Sequence, residues 1–305
     1  MPVKSEPPAP KRSSAETVVQ GHLTLTLPMK SPVDGEAVRS TLKSVMPDMF
    51  RAAEAMGTIH YFRFIELSVK RFVFIAEYDG DLDTVLADIG KHWGPSFDAV
   101  MAHVSQAPPT PVANNVSAFV KWAKTQSPEP FTTYEAYPGA SVKTIKSLAS
   151  NAGITLDQGA GSQLPLLVIM PMKSRLSSSA LRLALRPLRK YLVKGADGVG
   201  TVHFAHLAQL SPSEVGFFTL YDGPFEKYVQ DFASHLGPAF DFLMKFVTDP
   251  SPSPVSKRAE AFRTWAYEHD WRPIGFFNAY PGLSVQDIKA LLADARASKS
   301  PSAAR

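Results

Sequence analysis

The sequence predicts an α+β protein built from two copies of one ferredoxin-like unit, and three observations lead there. The second half repeats the first at a fixed offset of 143 residues: Gly57-Thr58-Ile59-His60 returns as Gly200-Thr201-Val202-His203, and Tyr78-Asp79-Gly80 as Tyr221-Asp222-Gly223. The same register, without insertion, carries Pro28-Met29-Lys30-Ser31 onto Pro171-Met172-Lys173-Ser174, Trp122 onto Trp265, and Tyr137-Pro138-Gly139 onto Tyr280-Pro281-Gly282. Within each copy the apolar period switches between 2 and 3.6 in the order β-α-β-β-α-(α)-β-α, which contains the split βαβ arrangement. A chain of 305 residues, 45% hydrophobic and 20% charged, is long enough to bury such a core.

Leu23 to Met29 and its copy, Leu166 to Met172, read as a short strand with leucines at alternate positions. Val38, Leu42, Val45, Met46 and Met49 then recur at helical spacing, as do Leu181, Leu185, Leu188 and Leu192. Two β-rich runs, Thr58 to Leu67 and Phe72 to Tyr78, flank a turn at Ser68 to Arg71. A helix from about Leu82 to Val104 follows, with a break expected at Gly94-Pro95 and Gly237-Pro238, because proline lacks the N–H that a helix interior uses. Pro-rich loops (Ala107 to Val112, Ser251 to Val255) lead to a helix around Ala118 to Thr125, a strand from Phe131 to Tyr137, and a last helix capped by Ser141 or Ser284. Asp222 or Gly223 is expected to cap the helix opening at Pro224.

Residues 1–21 and 294–305 are expected to be disordered tails around a first repeat at 22–150, a linker at 151–163 and a second repeat at 164–293. The tails carry three of the four net positive charges, so the body is nearly neutral and offers no basic face for nucleic acid. The absence of cysteine excludes disulfides, thiolate ligands and a cysteine nucleophile, and fits a cytoplasmic protein. No apolar run approaches the roughly 20 residues that cross a bilayer. Neither a GxGxxG nor a Walker pattern occurs, and no set of metal ligands stands at a recognisable spacing.

His60 and His203, each in an apolar strand, are candidate catalytic residues. Strict alternation would put His60 on one face with Phe62 and Phe64, and Tyr61 and Arg63 on the other. The competing reading is a buried, hydrogen-bonded structural histidine, which retention in both copies favours. His92 and His235, the Tyr-Asp-Gly aspartates and the Tyr-Pro-Gly turns read as structural. Lys30 and Lys173, at the mouth of the first strand, could meet an anionic group or lie in solvent. Differences between the copies are the better guide to function: Arg63, Glu66 and Glu77 become His206, Gln209 and Leu220. Lys173 to Lys194 also holds seven basic residues and no acid, with Arg182, Arg186 and Arg189 on one helical face able to meet an anionic surface or partner.

Element order and duplication across residues 22–293 resemble the dimeric α/β barrel superfamily, in which two ferredoxin-like units pack sheet to sheet with helices outside. That superfamily includes dye-decolourising peroxidases, chlorite dismutases and cofactor-free monooxygenases. The resemblance implies an intramolecular barrel and a small-molecule enzyme, oxidoreductase-like, acting on an apolar or aromatic substrate between the repeats. With haem, His60, His203 or a helix histidine would be the axial ligand, Arg63 a distal polar residue, and Lys30, Lys173 and His206 further cofactor contacts. The peroxidases' GxxDG motif is not reproduced by either Tyr-Asp-Gly. Without a cofactor, a histidine base with Tyr61 or Arg63 as polarising group would act in an apolar pocket. The alternative is a noncatalytic ligand-binding or interaction scaffold with the basic helix as contact surface.

Overall fold

The computed structural model describes residues 19–157 and 163–299. Of the expected tails (1–21 and 294–305) and linker (151–163), residues 1–18, 158–162 and 300–305 lie outside the described residues; Gln20 and Gly21 belong instead to β1, residues 294–299 to α10, Asn151 to α5 and Gln163 to β5. The first half contains β1 (Gln20–Pro28), α1 (Pro32–Met56), β2 (Ile59–Ser68), β3 (Arg71–Asp79), α2 (Leu82–His92), α3 (Gly94–Met101), α4 (Val116–Gln126), β4 (Thr132–Glu135) and α5 (Val142–Asn151). The second contains β5 (Gln163–Pro171), α6 (Arg175–Leu185), α7 (Arg189–Val199), β6 (Val202–Ser211), β7 (Glu214–Asp222), α8 (Phe225–Met244), α9 (Ala259–Glu268), β8 (Pro273–Asn278) and α10 (Val285–Lys299). Local chemistry sets many of these limits. Ser31 accepts the Asp34 N–H and Pro32 opens α1, while Gly57 ends it with φ of 61°, a left-handed conformation that glycine adopts without a Cβ penalty.

The strands form two four-stranded antiparallel sheets, β1-β3-β2-β8 and β4-β6-β7-β5. The split βαβ order is present in the first three strands of each half, with β3 between β1 and β2. The fourth strand departs from the expected self-contained ferredoxin-like unit. β8 of the second half pairs with β2 of the first, and β4 of the first half pairs with β6 of the second. Sequence order is the same whether a last strand joins its own unit or the other one, so periodicity does not reveal the exchange. The exchange covers the edges of β2 and β6, which would otherwise present unpaired backbone groups.

One face of each sheet carries helices. On the opposite faces, Ile65, Leu67, Val73 and Ile75 of the first sheet meet Leu167, Ile169, Ala208, Leu210 and Phe218 of the second, so the two sheets touch through apolar side chains. The sheets stay separate and do not close into one barrel.

Proline acts differently in the two halves. The Gly94-Pro95 break separates α2 from α3, whereas α8 runs unbroken through Pro238. Conversely α1 accommodates Pro47, while the second half breaks between α6 and α7 at residues 186–188, around Pro187. That break corrects the expected single face of Arg182, Arg186 and Arg189. Arg182 turns back to donate to the Glu129 carbonyl at 2.5 Å and lies over the Phe131 ring. Pro224 is the N-cap of α8 without a side-chain bond, so neither Asp222 nor Gly223 serves there.

Candidate functional site

Both conserved-register histidines sit on β-bulges. Ile59 pairs with Tyr78 and Tyr61 with Glu77, leaving His60 as the extra residue; Val202 and Phe204 bracket His203 in the same way. The bulge corrects the expected alternation. The His60 ring contacts Phe204 and Tyr280 between the sheets, whereas Phe62 packs on Phe50 and Trp93 beneath the helices.

A hydrogen-bonded chain then crosses from one half to the other. His60 Nε2 meets Asp79 Oδ1 at 2.8 Å and His60 Nδ1 meets the Tyr280 hydroxyl at 2.9 Å. Tyr280 meets Tyr137 at 2.7 Å, Tyr137 meets His203 Nδ1 at 2.9 Å, and His203 Nε2 meets Asp222 Oδ1 at 2.6 Å. The second oxygens of Asp79 and Asp222 accept the Val142 and Val285 N–H groups, fastening α5 and α10 to the same centre. Burial pushes the Tyr61, Tyr137 and Tyr280 hydroxyls above the ordinary tyrosine range, so all three are neutral donors. With each histidine donating from Nε2 to its aspartate, three hydroxyl protons serve His60 Nδ1, His203 Nδ1 and one tyrosine oxygen. Tyr61, whose counterpart is Phe204, supplies the third by meeting His203 Nδ1 at 3.2 Å. Every member of this chain has a partner, and His60 and His203 are completely buried.

A second polar cluster lies between the sheets and has no copy. His22 Nε2 meets Glu135 Oε1 at 2.8 Å, His22 Nδ1 meets His206 Nδ1 at 3.2 Å, and His206 Nε2 meets Thr24 Oγ1 at 2.9 Å. Beside them Arg63 binds both oxygens of Glu77, at 2.9 and 3.2 Å, with His206 Nδ1 3.9 Å from Glu77 Oε1. At the positions 143 residues away stand Pro165 for His22, Leu167 for Thr24, Leu220 for Glu77 and Asn278 for Glu135, while Arg63 and His206 are each other's counterparts. Desolvation above all, with the Arg63 guanidinium beside it, holds His206 well below the usual imidazole range and therefore neutral. Burial pushes Glu135 up, but the hydrogen bond from His22 outweighs it and leaves the carboxyl below its ordinary value. A consistent proton arrangement runs from the Thr24 hydroxyl to His206 Nε2, from His206 Nδ1–H to His22, and from His22 Nε2–H to Glu135.

Across β6 from this cluster is a cavity of about 60 Å³ between the second sheet and α7 and α8. Val193, Ala205, Phe217, Phe232 and Leu236 give it an apolar wall. The corresponding space in the first half is filled: Phe50 replaces Val193, Phe62 replaces Ala205 and Trp93 replaces Leu236, with ring centroids 4.8 Å apart for Phe62 and Trp93 and 5.5 Å for Phe50 and Phe62. Thr132, Thr219 and Tyr228 bring hydroxyls to the cavity where the first sheet and its helices have Gly275, Ala76 and Val85. None of the three has a partner in hydrogen-bond geometry, although Tyr228 and Thr219 are near neighbours.

The structure therefore gathers His60 and His203 into one chain and places Arg63 and His206 in another cluster. Lys30 and Lys173 join neither; they donate to the Ala102 and Lys245 carbonyls at the surface, tying the exits of β1 and β5 to the C-terminal ends of α3 and α8. Haem does not fit these residues. Both ring nitrogens of His60 and of His203 are engaged inside the core, and the lysines turn to backbone oxygens. Sequence reasoning missed His22, Thr24 and Glu135. The comparison that singled out Arg63 and Glu77 would have found them, since His22 and Thr24 match Pro165 and Leu167, and the charged Glu135 matches the uncharged Asn278.

No family model matches the chain, and no curated protein matches it in sequence. Among solved structures, a protein named as a monooxygenase from Lactobacillus acidophilus is similar over 87% of this chain and 99% of its own, at 9% identity and a TM-score of 0.30. An anthrone oxidase-like protein is similar over 88% and 96%, at 10% identity and a TM-score of 0.27.

Proposed function

We propose that the protein binds a small, mainly apolar or aromatic molecule in the cavity beside Ala205, on a strand-exchanged relative of the dimeric α/β barrel. The observation that carries this reading is the unequal filling of two otherwise equivalent spaces: three aromatic side chains close the first, and Ala205, Val193 and Leu236 leave the second open. Unpartnered hydroxyls in an apolar pocket supply the few polar groups that orient a ligand. At about 60 Å³ the space is smaller than the ~150 Å³ apolar cavity that takes benzene. Binding thus inserts one end of the ligand, or displaces α7, which is free of α6 at residues 186–188 and ends at Gly200. Phenol and toluene are suitable probes. Both are expected to shift amide resonances around Ala205 in the wild type and not in Ala205→Leu, with Thr219→Val weakening phenol more than toluene. Unchanged spectra in the wild type, or shifts that persist in Ala205→Leu, would exclude this site.

A second reading, an oxidoreductase-like enzyme working between the repeats, draws support from the chain of acid-base groups joining His60 to His203. It requires a substrate to displace Tyr137 or Tyr280 from these rings. Wild-type turnover lost in His60→Gln and His203→Gln, with folding retained, would favour it.

A further inference from the structure

We propose that His22, His206 and Glu77 bind one divalent d-block cation, Zn²⁺ by preference, with Glu135 and Thr24 as outer supports. The Nδ1 atoms of His22 and His206 face each other at 3.2 Å. Two nitrogens that far apart, each about 2.0–2.1 Å from zinc, subtend roughly 100° at the metal, close to tetrahedral. Glu77 offers the third donor, and the ligand atoms of the three residues lie within 4.8 Å of one another. Each Glu77 oxygen keeps a lone pair beyond its bond to Arg63.

The far nitrogens of both rings are already held. Glu135 accepts from His22 Nε2, the carboxylate-imidazole support that orients metal-binding histidines. Thr24 holds His206 Nε2. On binding, the His206 proton moves from Nδ1 to Nε2, where Thr24 Oγ1 accepts it, and both Nδ1 lone pairs point at the cation. No proton is released. Glu77 is already paired with Arg63, so Glu135 offsets one unit of the added charge, and the Glu135 side chain, 23% exposed, marks the route in.

The fold does not demand this cluster. The pseudo-symmetric positions hold Pro165, Leu167, Leu220 and Asn278, so both sheets form where His22, Thr24, Glu77 and Glu135 have no titratable counterpart. Burying charged and titratable groups is costly unless they are paired or coordinate a metal. The metal site is inferred separately from the cavity ligand, although His206 also lines the cavity.

The test is equilibrium dialysis of the full chain, refolded with Zn²⁺, followed by metal analysis, together with visible absorption of the Co²⁺ form. One zinc per chain and tetrahedral Co²⁺ bands are expected. His22→Gln and His206→Gln should each lose the metal, and Glu135→Gln should bind about 10–100-fold more weakly. Substoichiometric zinc in the wild type, octahedral cobalt, or full loading in folded His206→Gln would overturn the proposal. If neither glutamine variant folds, the wild-type stoichiometry and cobalt spectrum decide.

Discussion

Asp222 shows how single side chains serve more than one element: one oxygen meets His203 and the other the Val285 N–H. Asp222→Ala leaves a buried imidazole and a helix N–H without an acceptor, which is expected to cost about 3 kcal/mol. Urea unfolding checks this; a loss below about 0.5 kcal/mol would contradict it. The histidines were legible in the sequence because a polar residue stands out in an apolar strand. Their partners were not. Tyr137 and Tyr280 read as strand ends, and only the exchanged strands bring each tyrosine to the other half's histidine. Asp79 and Asp222 read as capping residues, and they do satisfy helix N–H groups, but those of α5 and α10, 63 residues ahead.

Element boundaries were legible where apolar period and caps agree, as at Ser141. They were less so at the bulges, since one inserted residue reverses the facing of a side chain without changing composition. Packing beneath the sheets gives an opposed pair of expectations. Phe62→Ala empties a space closed by Phe50, Trp93 and Phe277, with a loss of about 3–5 kcal/mol. Ala205→Leu fills the open space of the second half and is expected to stabilise by about 1 kcal/mol, given ~24 cal/mol per Å³ of cavity. Chemical denaturation of both variants checks the contrast; destabilisation by Ala205→Leu comparable to Phe62→Ala would show that the second space is already filled.

At the scale of the molecule, the matched segments at an offset of 143 were plain in the sequence, whereas strand exchange was invisible because pairing partners lie in different halves. A chain covering only residues 19–157 lacks the strand that covers β2. Alone it is expected to dimerise by trading β4, and mixed with residues 163–299 to form a one-to-one complex; light scattering that finds a stable folded monomer would contradict the exchange. The halves are also joined by Arg71 and Glu214, themselves 143 residues apart, through bonds of 2.5 and 2.9 Å. Arg71 holds the Glu214 carboxyl below its usual 4.5 against an opposing contribution from burial. A depressed folded value means the stabilisation is complete above about pH 4.5 and fades as pH falls through that lower value. Urea midpoints between about pH 5 and pH 3 should therefore fall more steeply in the wild type than in Glu214→Gln; parallel slopes would contradict the pairing. The unequal filling of the two halves is the point on which the functional proposal turns, and diffraction from xenon-pressurised crystals measures it directly. Xenon density beside Ala205, Phe217 and Leu236, with none at the equivalent place around Phe62, is the expected result. Density at neither place, or at both, would contradict it.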